Sequence, residues 1–406
     1  MISRSQRILG LDIGSNCVKA VELARAGNRF TVTGYAQQEI AAAGTLRDAL
    51  VAVLREGRFK SKQVVSSVSG RSVIVRYINT PYMKSDDLKS SMRFEADKYI
   101  PFETSEVILD CVSLDEKPAP GSADMRVVLV AVKKEVVDEH VRLLQDVGLF
   151  PCIVDVDCFA LGNGYELTSD LSGRDLDASP AAVETKDAQV AAGAAEAPAD
   201  KEEAAAPAKA KKAPPAKAPE NDVKAPDKDA KPAEKDAGQA KPPARAYALV
   251  DIGAQKTNIN IMEGHNSYFT REVYIGGDDM TEAVAKHLSI NPAEAEIVKR
   301  KGEQESEVLE AVSQVLDDLA NEIFLSFDYF ENQFDAQIKT VYLSGGGSRL
   351  KGIQGVLGQT LNRTVEIWDP VAGFDISLTQ QQASRLKESA PQLAVAMGLA
   401  SRLRKV

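Results

Sequence analysis

The stretch Ile8-Leu9-Gly10-Leu11-Asp12-Ile13-Gly14-Ser15-Asn16-Cys17-Val18-Lys19 has a counterpart far along the chain, Ala248-Leu249-Val250-Asp251-Ile252-Gly253-Ala254-Gln255-Lys256-Thr257-Asn258-Ile259-Asn260-Ile261. Each runs through apolar, β-forming residues to an aspartate, turns at Asp-Ile-Gly and resumes as a second strand. One Asp-x-Gly turn is an ordinary turn former. Two of them, opening two halves of one chain, read as a duplicated strand–turn–strand unit.

The residue types at these turns suit a phosphate chain, which needs backbone N–H groups brought close, a cation, and a carboxylate to hold hydrated magnesium. Gly14 admits a close backbone approach, Ser15 and Asn16 supply polar groups, Lys19 a point charge and Asp12 a carboxylate. Asp251 and Gly253 repeat the carboxylate and the turn.

Working outward, the first hairpin leads to a predicted helix over 46–55 and strands over 63–68 and 73–78. A block of helix 86–99, strands 107–114 and 126–132 and helix 135–147 has the size of a small α+β subdomain. In the second half, Gly276 and Gly277 lead into a helix over 280–287. Val308, Val312, Val315, Leu319, Ile323, Phe327 and Phe330 form one apolar stripe on a long helix over 305–333. A strand over 340–343, the run Gly345-Gly346-Gly347 and a helix from about 350 to 361 follow.

From 170 to 245 the composition turns to Ala, Pro, Lys, Asp and Glu, without an aromatic residue, Ile, Met or Cys, and holds ten of the chain's 18 prolines. Such a segment cannot bury a core and reads as a disordered linker. The expected division is therefore a first-lobe core at 1–80 with 153–169 and 385–406, an inserted subdomain at 81–152, the linker, and a second lobe at 246–384 whose outer part spans 276–340.

With 406 residues the chain is too long for a single small binding module. Its 49 Lys and Arg against 59 Asp and Glu give a net charge of −10, a poor match for nucleic acid or an anionic bilayer. Cys17, Cys111, Cys152 and Cys158 form no C-x-x-C pair, and only His140, His265 and His287 accompany them, so neither disulfides nor zinc is expected. No apolar run approaches the length of a signal peptide core or a bilayer span, and the expected location is cytoplasmic.

The two Asp-Ile-Gly hairpins and Val341-Tyr-Leu-Ser-Gly-Gly-Gly-Ser-Arg-Leu-Lys-Gly352 resemble the two phosphate motifs and the adenosine motif of the actin, chaperone and sugar kinase superfamily. Arg93-Phe-Glu-Ala-Asp-Lys-Tyr-Ile-Pro-Phe102, Val132-Lys-Lys-Glu-Val-Val-Asp138, Val154-Asp-Val-Asp-Cys-Phe-Ala-Leu161 and Phe269-Thr-Arg-Glu272 narrow the resemblance to its FtsA-like branch, and within it to the PilM family of type IV pilus assembly. The resemblance implies an α/β, actin-like two-lobed fold with duplicated ribonuclease-H-like halves and an inserted small α+β subdomain.

It also implies ATP and Mg²⁺ in the cleft, with Asp12 and Asp251 at the metal. Asp12, Gly14, Ser15, Asn16, Lys19, Asp251 and Gly253 would lie at the phosphates, Gly276 and Gly277 at the nucleotide, Glu296 and Lys299 at the ribose or adenine, and Gly345, Gly346 and Gly347 under the adenosine. Asp157 corresponds to an acid that orients an attacking water, with slow hydrolysis and a purely structural nucleotide both compatible. Glu296 and Lys299 also read as a solvated i, i+3 pair and Asp157 as a helix cap.

The partner implied is the cytoplasmic tail of a PilN-type inner-membrane protein, held beside the small subdomain with Tyr99 and Phe102 as contact residues. That partner would tether the protein peripherally to the inner membrane. Tyr99 and Phe102 read equally as core of that subdomain. Two other functions are alternatives: a small-molecule kinase of the same superfamily, for which the sequence shows no glycine-framed acidic substrate site, and an FtsA-type division protein with its own membrane helix, for which 396–406 offers no separate segment. Arg402, Arg404 and Lys405 fit a helix C-terminus.

Overall fold

A computed structural model describes residues 6–114, 123–173, 245–334 and 336–404. Most of the linker, from residue 174 to residue 244, and Lys405 lie outside these. In the first half the strands are β1 (Gln6–Ile13), β2 (Cys17–Ala26), β3 (Arg29–Glu39), β4 (Gln63–Val68), β5 (Val73–Pro81), β6 (Val107–Ser113), β7 (Asp124–Lys133) and β8 (Phe150–Val156). The second half adds β9 (Arg245–Ile252), β10 (Thr257–Glu263), β11 (Asn266–Val273), β12 (Gln337–Ser344), β13 (Thr364–Ile367) and β14 (Asp375–Ile376).

The duplication read from the turns extends to the sheets. One sheet runs β14-β3-β2-β1-β4-β8 and another β11-β10-β9-β12-β13. In both, an antiparallel three-strand meander is joined through its first strand to a parallel pair. This is the ribonuclease-H-like half, present twice, and the whole is an actin-like fold. The first sheet alternates its inward residues: Leu9 and Leu11 pack toward the helix Leu46–Gly57, while Ile8 and Val21 join the opposite core with Ala160 and Met397.

The helix Asp157–Ser172 lies between the two sheets, its Tyr165 stacking on Tyr247 and Tyr342 at centroid distances of 4.9 and 4.7 Å. The helix Ala394–Ala400, buried throughout, packs beside it. The long helix Glu305–Phe334 buries Val308, Val312, Leu319, Ile323, Phe327 and Phe330 against the second sheet, as its stripe requires.

The third sheet, β5-β7-β6, has one face covered by the helix Ser85–Glu95 through Leu88 and Met92. It touches the second half as well: Arg126 donates to the Tyr268 hydroxyl at 3.2 Å and lies over the Tyr268 ring, and the Tyr77 and Ser267 hydroxyls are 2.8 Å apart.

Four expectations are corrected. The helix predicted over 86–99 ends at Glu95 and tightens to 3₁₀ over Ala96–Lys98, since Pro101 disfavours α-helical backbone at the residue before it. The linker does not begin at residue 170: the helix Asp157–Ser172 runs past it, drawn on by buried Leu167, Thr168 and Ser169 and capped by Gly173 at φ 67°. The chain returns to the first sheet at Asp375 rather than 385, because Asp375 and Ile376 pair in parallel with Thr31 and Val32. Arg402 does not serve a helix dipole: its Nε and Nη2 donate to Oδ2 of buried Asp155 at 2.7 and 2.6 Å, a partner that carboxylate requires.

Candidate functional site

The two Asp-Ile-Gly turns face one another across a cavity between the sheets. Each is closed by the same bond: Gly14 N–H donates to Cys17 O at 3.1 Å, and Gly253 N–H to Lys256 O at 2.9 Å. A Cβ at Gly253 would stand 2.8 Å from Lys256 O, so glycine lets this turn close. Strand register then places Lys19 opposite Asp12 and Asn258 opposite Asp251. The Lys19 ammonium donates to Asp12 Oδ2 at 2.8 Å, and the Ser344 hydroxyl, delivered by β12, donates to Asp251 Oδ1 at 2.8 Å.

Burial pushes the Asp12 carboxyl above the usual carboxylate range, although Lys19 pulls it the other way. Burial also works against the Lys19 ammonium, but Asp12, Cys17 and Asp251 outweigh it and its pKa is raised. Asp251 is pushed up to about 6 by burial, opposed by Ser344 and Lys19 and reinforced by Asp12 and Asp157. The Asp157 carboxylate thus raises both Asp12 and Asp251, with Lys19, and for Asp12 also Lys256, working against the rise.

Gly277 opens the helix Gly277–Leu288, whose first N–H groups dock on the second turn: Gly277 N–H to Gly253 O at 2.9 Å and Asp278 N–H to Ala254 O at 2.8 Å. Gly276 stands behind this contact rather than on the cavity wall, and a Cβ there would meet Ala254 O at 2.4 Å. Lys299, on the helix Pro292–Lys301, donates to Gly277 O at 2.7 Å and pairs with Glu296 at 2.6 Å. Burial would raise the Glu296 carboxyl, yet Lys299, Thr281 and Arg300 hold it below its usual range. Both residues line the cavity, and they also form the i, i+3 pair, which is part-buried rather than freely solvated.

Gly345 has φ 86° and donates to Pro391 O at 2.8 Å, and any Cβ there would lie 2.3 Å from Ile252 O. Gly345 to Gly347 thus bring β12 against the end of β9 and leave their backbone on the cavity.

Among the residues expected from sequence, the cavity gathers Asp12, Gly14, Ser15, Asn16 and Lys19 from the first turn and Asp251 and Gly253 from the second. Gly277, Glu296, Lys299, the three glycines after β12 and Asp157 complete it. Tyr99 and Phe102 are elsewhere, half-buried against the core of the small subdomain, with Lys133 over the Phe102 ring at 5.2 Å. The most exposed aromatic of that subdomain is Phe94, at 86 %.

Sequence reading missed Lys256, whose ammonium is 3.2 Å from Asp157 Oδ2 and 2.5 Å from Glu272 Oε1. It also missed Arg349, Met280 and Gln392 on the cavity wall, and two bonds between the halves: Asn16 Nδ2 to Asp278 Oδ1 at 2.8 Å and Arg300 Nη1 to Glu39 Oε1 at 2.6 Å. The only local signal was a lysine five residues after the second aspartate.

A family model described as "Type IV pilus assembly protein PilM" matches residues 10–190 and 236–404. Among solved structures, the chain is similar to one in a PilM-PilN type IV pilus biogenesis complex, with 25% identity, 98% of each chain covered and a TM-score of 0.70. It is more distantly similar to the ethanolamine utilization protein EutJ from Carboxydothermus hydrogenoformans, with 13% identity, 98% and 89% covered and a TM-score of 0.48. A third similarity is to MreB 5 of Spiroplasma citri bound to AMPPNP, with 9% identity, 98% and 96% covered and a TM-score of 0.45. With the family model spanning nearly all of the chain outside 191–235, the chain belongs to the PilM family of type IV pilus assembly proteins.

Proposed function

We propose that this protein is an ATP-binding, actin-like scaffold of type IV pilus assembly that docks on the cytoplasmic tail of a PilN-type inner-membrane protein. The observation that carries the nucleotide half is the pair of glycine turns facing each other across one cavity, each headed by a buried or half-buried carboxylate. Among the described residues no three His, Cys, Asp or Glu side chains are grouped to hold a metal alone. Magnesium suits such a place, since it keeps several waters and takes one or two carboxylates beside phosphate oxygens. Asp12 and Asp251 would hold it, and when bound it neutralises phosphate charge. The turn N–H groups, Ser15 and Lys19 would bind the phosphates, while Gly345 to Gly347, Lys299 and Glu296 would hold the nucleoside.

No helix among the described residues is long and apolar enough to cross a membrane, which fits attachment through a partner. The solved relative in a PilM-PilN complex supports a tail-binding role. We place the tail beside the small subdomain, with the accessible parts of Tyr99 and Phe102 among its contacts.

Calorimetry with Mg·ATP and with a synthetic PilN-type tail peptide tests both halves. Asp12→Ala and Lys19→Ala are expected to lower nucleotide affinity at least about tenfold, the worth of one charge-assisted contact, and to leave peptide binding in place. Tyr99→Ala and Phe102→Ala are expected to do the reverse. Wild-type nucleotide affinity in both cleft variants would remove the cleft assignment.

A further inference from the structure

We infer that Lys256 is the cation that reads the terminal phosphate of the bound nucleotide, so that this side chain sets the preference for a nucleoside triphosphate over a diphosphate. The inference rests on the nucleotide reading of the cleft. Gly345 to Gly347, assigned above to the nucleoside, line the cavity, and so do Asp12, Lys19, Asp157 and Lys256. This second group is tied together by ion pairs, Lys19 to Asp12 at 2.8 Å and Lys256 to Asp157 at 3.2 Å. A nucleotide whose nucleoside is held by Gly345 to Gly347 and whose phosphates lie along the turns brings its last phosphate to the second group.

Of the two lysines in that group, Lys19 pairs within its own hairpin, with Asp12 at 2.8 Å. Lys256 is held differently. It closes the second turn at the position that Cys17 occupies in the first. Its ammonium reaches across to the N-terminus of the helix Asp157–Ser172, 3.2 Å from Asp157, and backward to Glu272 at 2.5 Å. Burial disfavours the ammonium, but Asp157 and Glu272 outweigh that and keep it protonated.

The longer of its two bonds is the one facing the cavity. A phosphate carrying about two charges outcompetes a single carboxylate for a flexible ammonium, whose four-carbon stem lets it swing while Glu272 keeps its hold. Glu272 is itself fixed, accepting from Gly70 N–H at 3.2 Å and from the Tyr274 hydroxyl at 2.9 Å. With only a diphosphate present, Lys256 stays on Asp157 and occupies that carboxylate. With a triphosphate, the ammonium turns to the phosphate and Asp157 is left free to accept from water.

The test measures Mg·ATP and Mg·ADP affinities of the full chain by calorimetry for wild type, Lys256→Met, Lys256→Arg and Asp157→Asn. Loss of one charge-assisted contact corresponds to about 10- to 100-fold. Lys256→Met is expected to lose that factor for ATP and to hold ADP within about threefold, while Lys256→Arg retains most of the preference. Asp157→Asn, which removes the competitor, is expected to raise the ATP to ADP affinity ratio and serves if Lys256→Met does not fold. Equal losses for both nucleotides, or no change for either, overturn the inference, as does an unchanged or lowered ratio in Asp157→Asn. Wild-type protein that binds neither nucleotide would instead refute the cleft reading itself.

Discussion

Among the described glycines, Gly398 of the helix Ala394–Ala400 has the shortest approach to backbone for an added Cβ, and two glycine substitutions test that packing with opposite expected signs. Gly398 faces the helix Asp157–Ser172 so closely that a Cβ would lie 1.8 Å from Ala160 O and 2.5 Å from Ala160 C. Ordinary contact begins near 3.4 Å, so two backbones would have to part by well over an ångström. Retreat is blocked on the other side, where Gly10 of β1 lies so close that its own Cβ would meet Ala396 O at 2.1 Å. Alanine in a helix interior gains about 1 kcal/mol over glycine, whereas overpacking of a rigid core costs about 1–3 kcal/mol and more when backbone is the obstacle. With backbone as the obstacle the overpacking cost is taken at about 3–5 kcal/mol, so Gly398→Ala is expected to destabilise by about 2–4 kcal/mol after that offset. At about 2 °C per kcal/mol for a chain of this size, Tm falls by about 4–8 °C.

Gly358, in the helix Ile353–Leu361, is the control. Its Cβ would find its nearest neighbour at 3.6 Å and its φ is not positive, so Gly358→Ala is expected to raise Tm by about 1–2 °C. This helix pair also reaches the cleft, since Asp157 heads one helix and Val395 of the other lines the cavity. Gly398→Ala should therefore weaken Mg·ATP binding, and Gly358→Ala should not. Thermal unfolding with parallel calorimetry reads both quantities. A Gly398→Ala protein as stable as wild type would show that the two helices do not pack at this distance.

Burial holds the His140 imidazole below its usual range, with Asp157 opposing, and Nε2 has no hydrogen-bond partner. The folded state thus takes up this proton less readily than the unfolded chain, and its contribution, present above about pH 6.5, is lost as pH falls; His140→Gln should flatten the decline of Tm between pH 7 and pH 5. Deleting 191–235, which the family model leaves unmatched, should move neither Tm nor nucleotide affinity, as both are measured on the same samples. Glu39→Gln removes an exposed ion pair between the halves, worth about 0.5–1 kcal/mol. It should speed release of a fluorescent nucleotide about two- to fivefold at low salt and much less at high salt, as stopped-flow would read.

What could be read from sequence was whatever the chain settles locally. The Asp-Ile-Gly turns, the apolar stripe of the long helix and the glycine run after β12 each fit within a few turns or one hairpin, so their residue types and spacings carry them. Two-residue β14 has no periodicity to detect and exists only because Thr31 and Val32 offer an edge to pair with. Arg402 looked like a helix-end cation until the fold delivered Asp155 from 247 residues away. Tyr99 and Phe102 carried an apolar signal that core and contact surface share, and only packing against Ile78, Leu88 and Met92 shows how much of each ring is already used.

Lys256 shows the same limit at the centre of the cleft. Duplication makes the two turns superficially interchangeable, each with an aspartate, a glycine and one nearby lysine. The lysines, however, occupy different places in the hairpin: Lys19 lies opposite its own aspartate, where the second turn has Asn258, and Lys256 closes its turn where the first has Cys17. The first lysine can therefore be satisfied within its own hairpin, and is. The second cannot reach its own aspartate in that way and pairs instead with Glu272 of its own sheet and, 99 residues distant across the cavity, with Asp157. The first turn thus closes its ion pair within its own hairpin while the second completes its pairing only when the cleft is assembled, so the divergence of a single turn position turns a repeated motif into two unequal halves of one site.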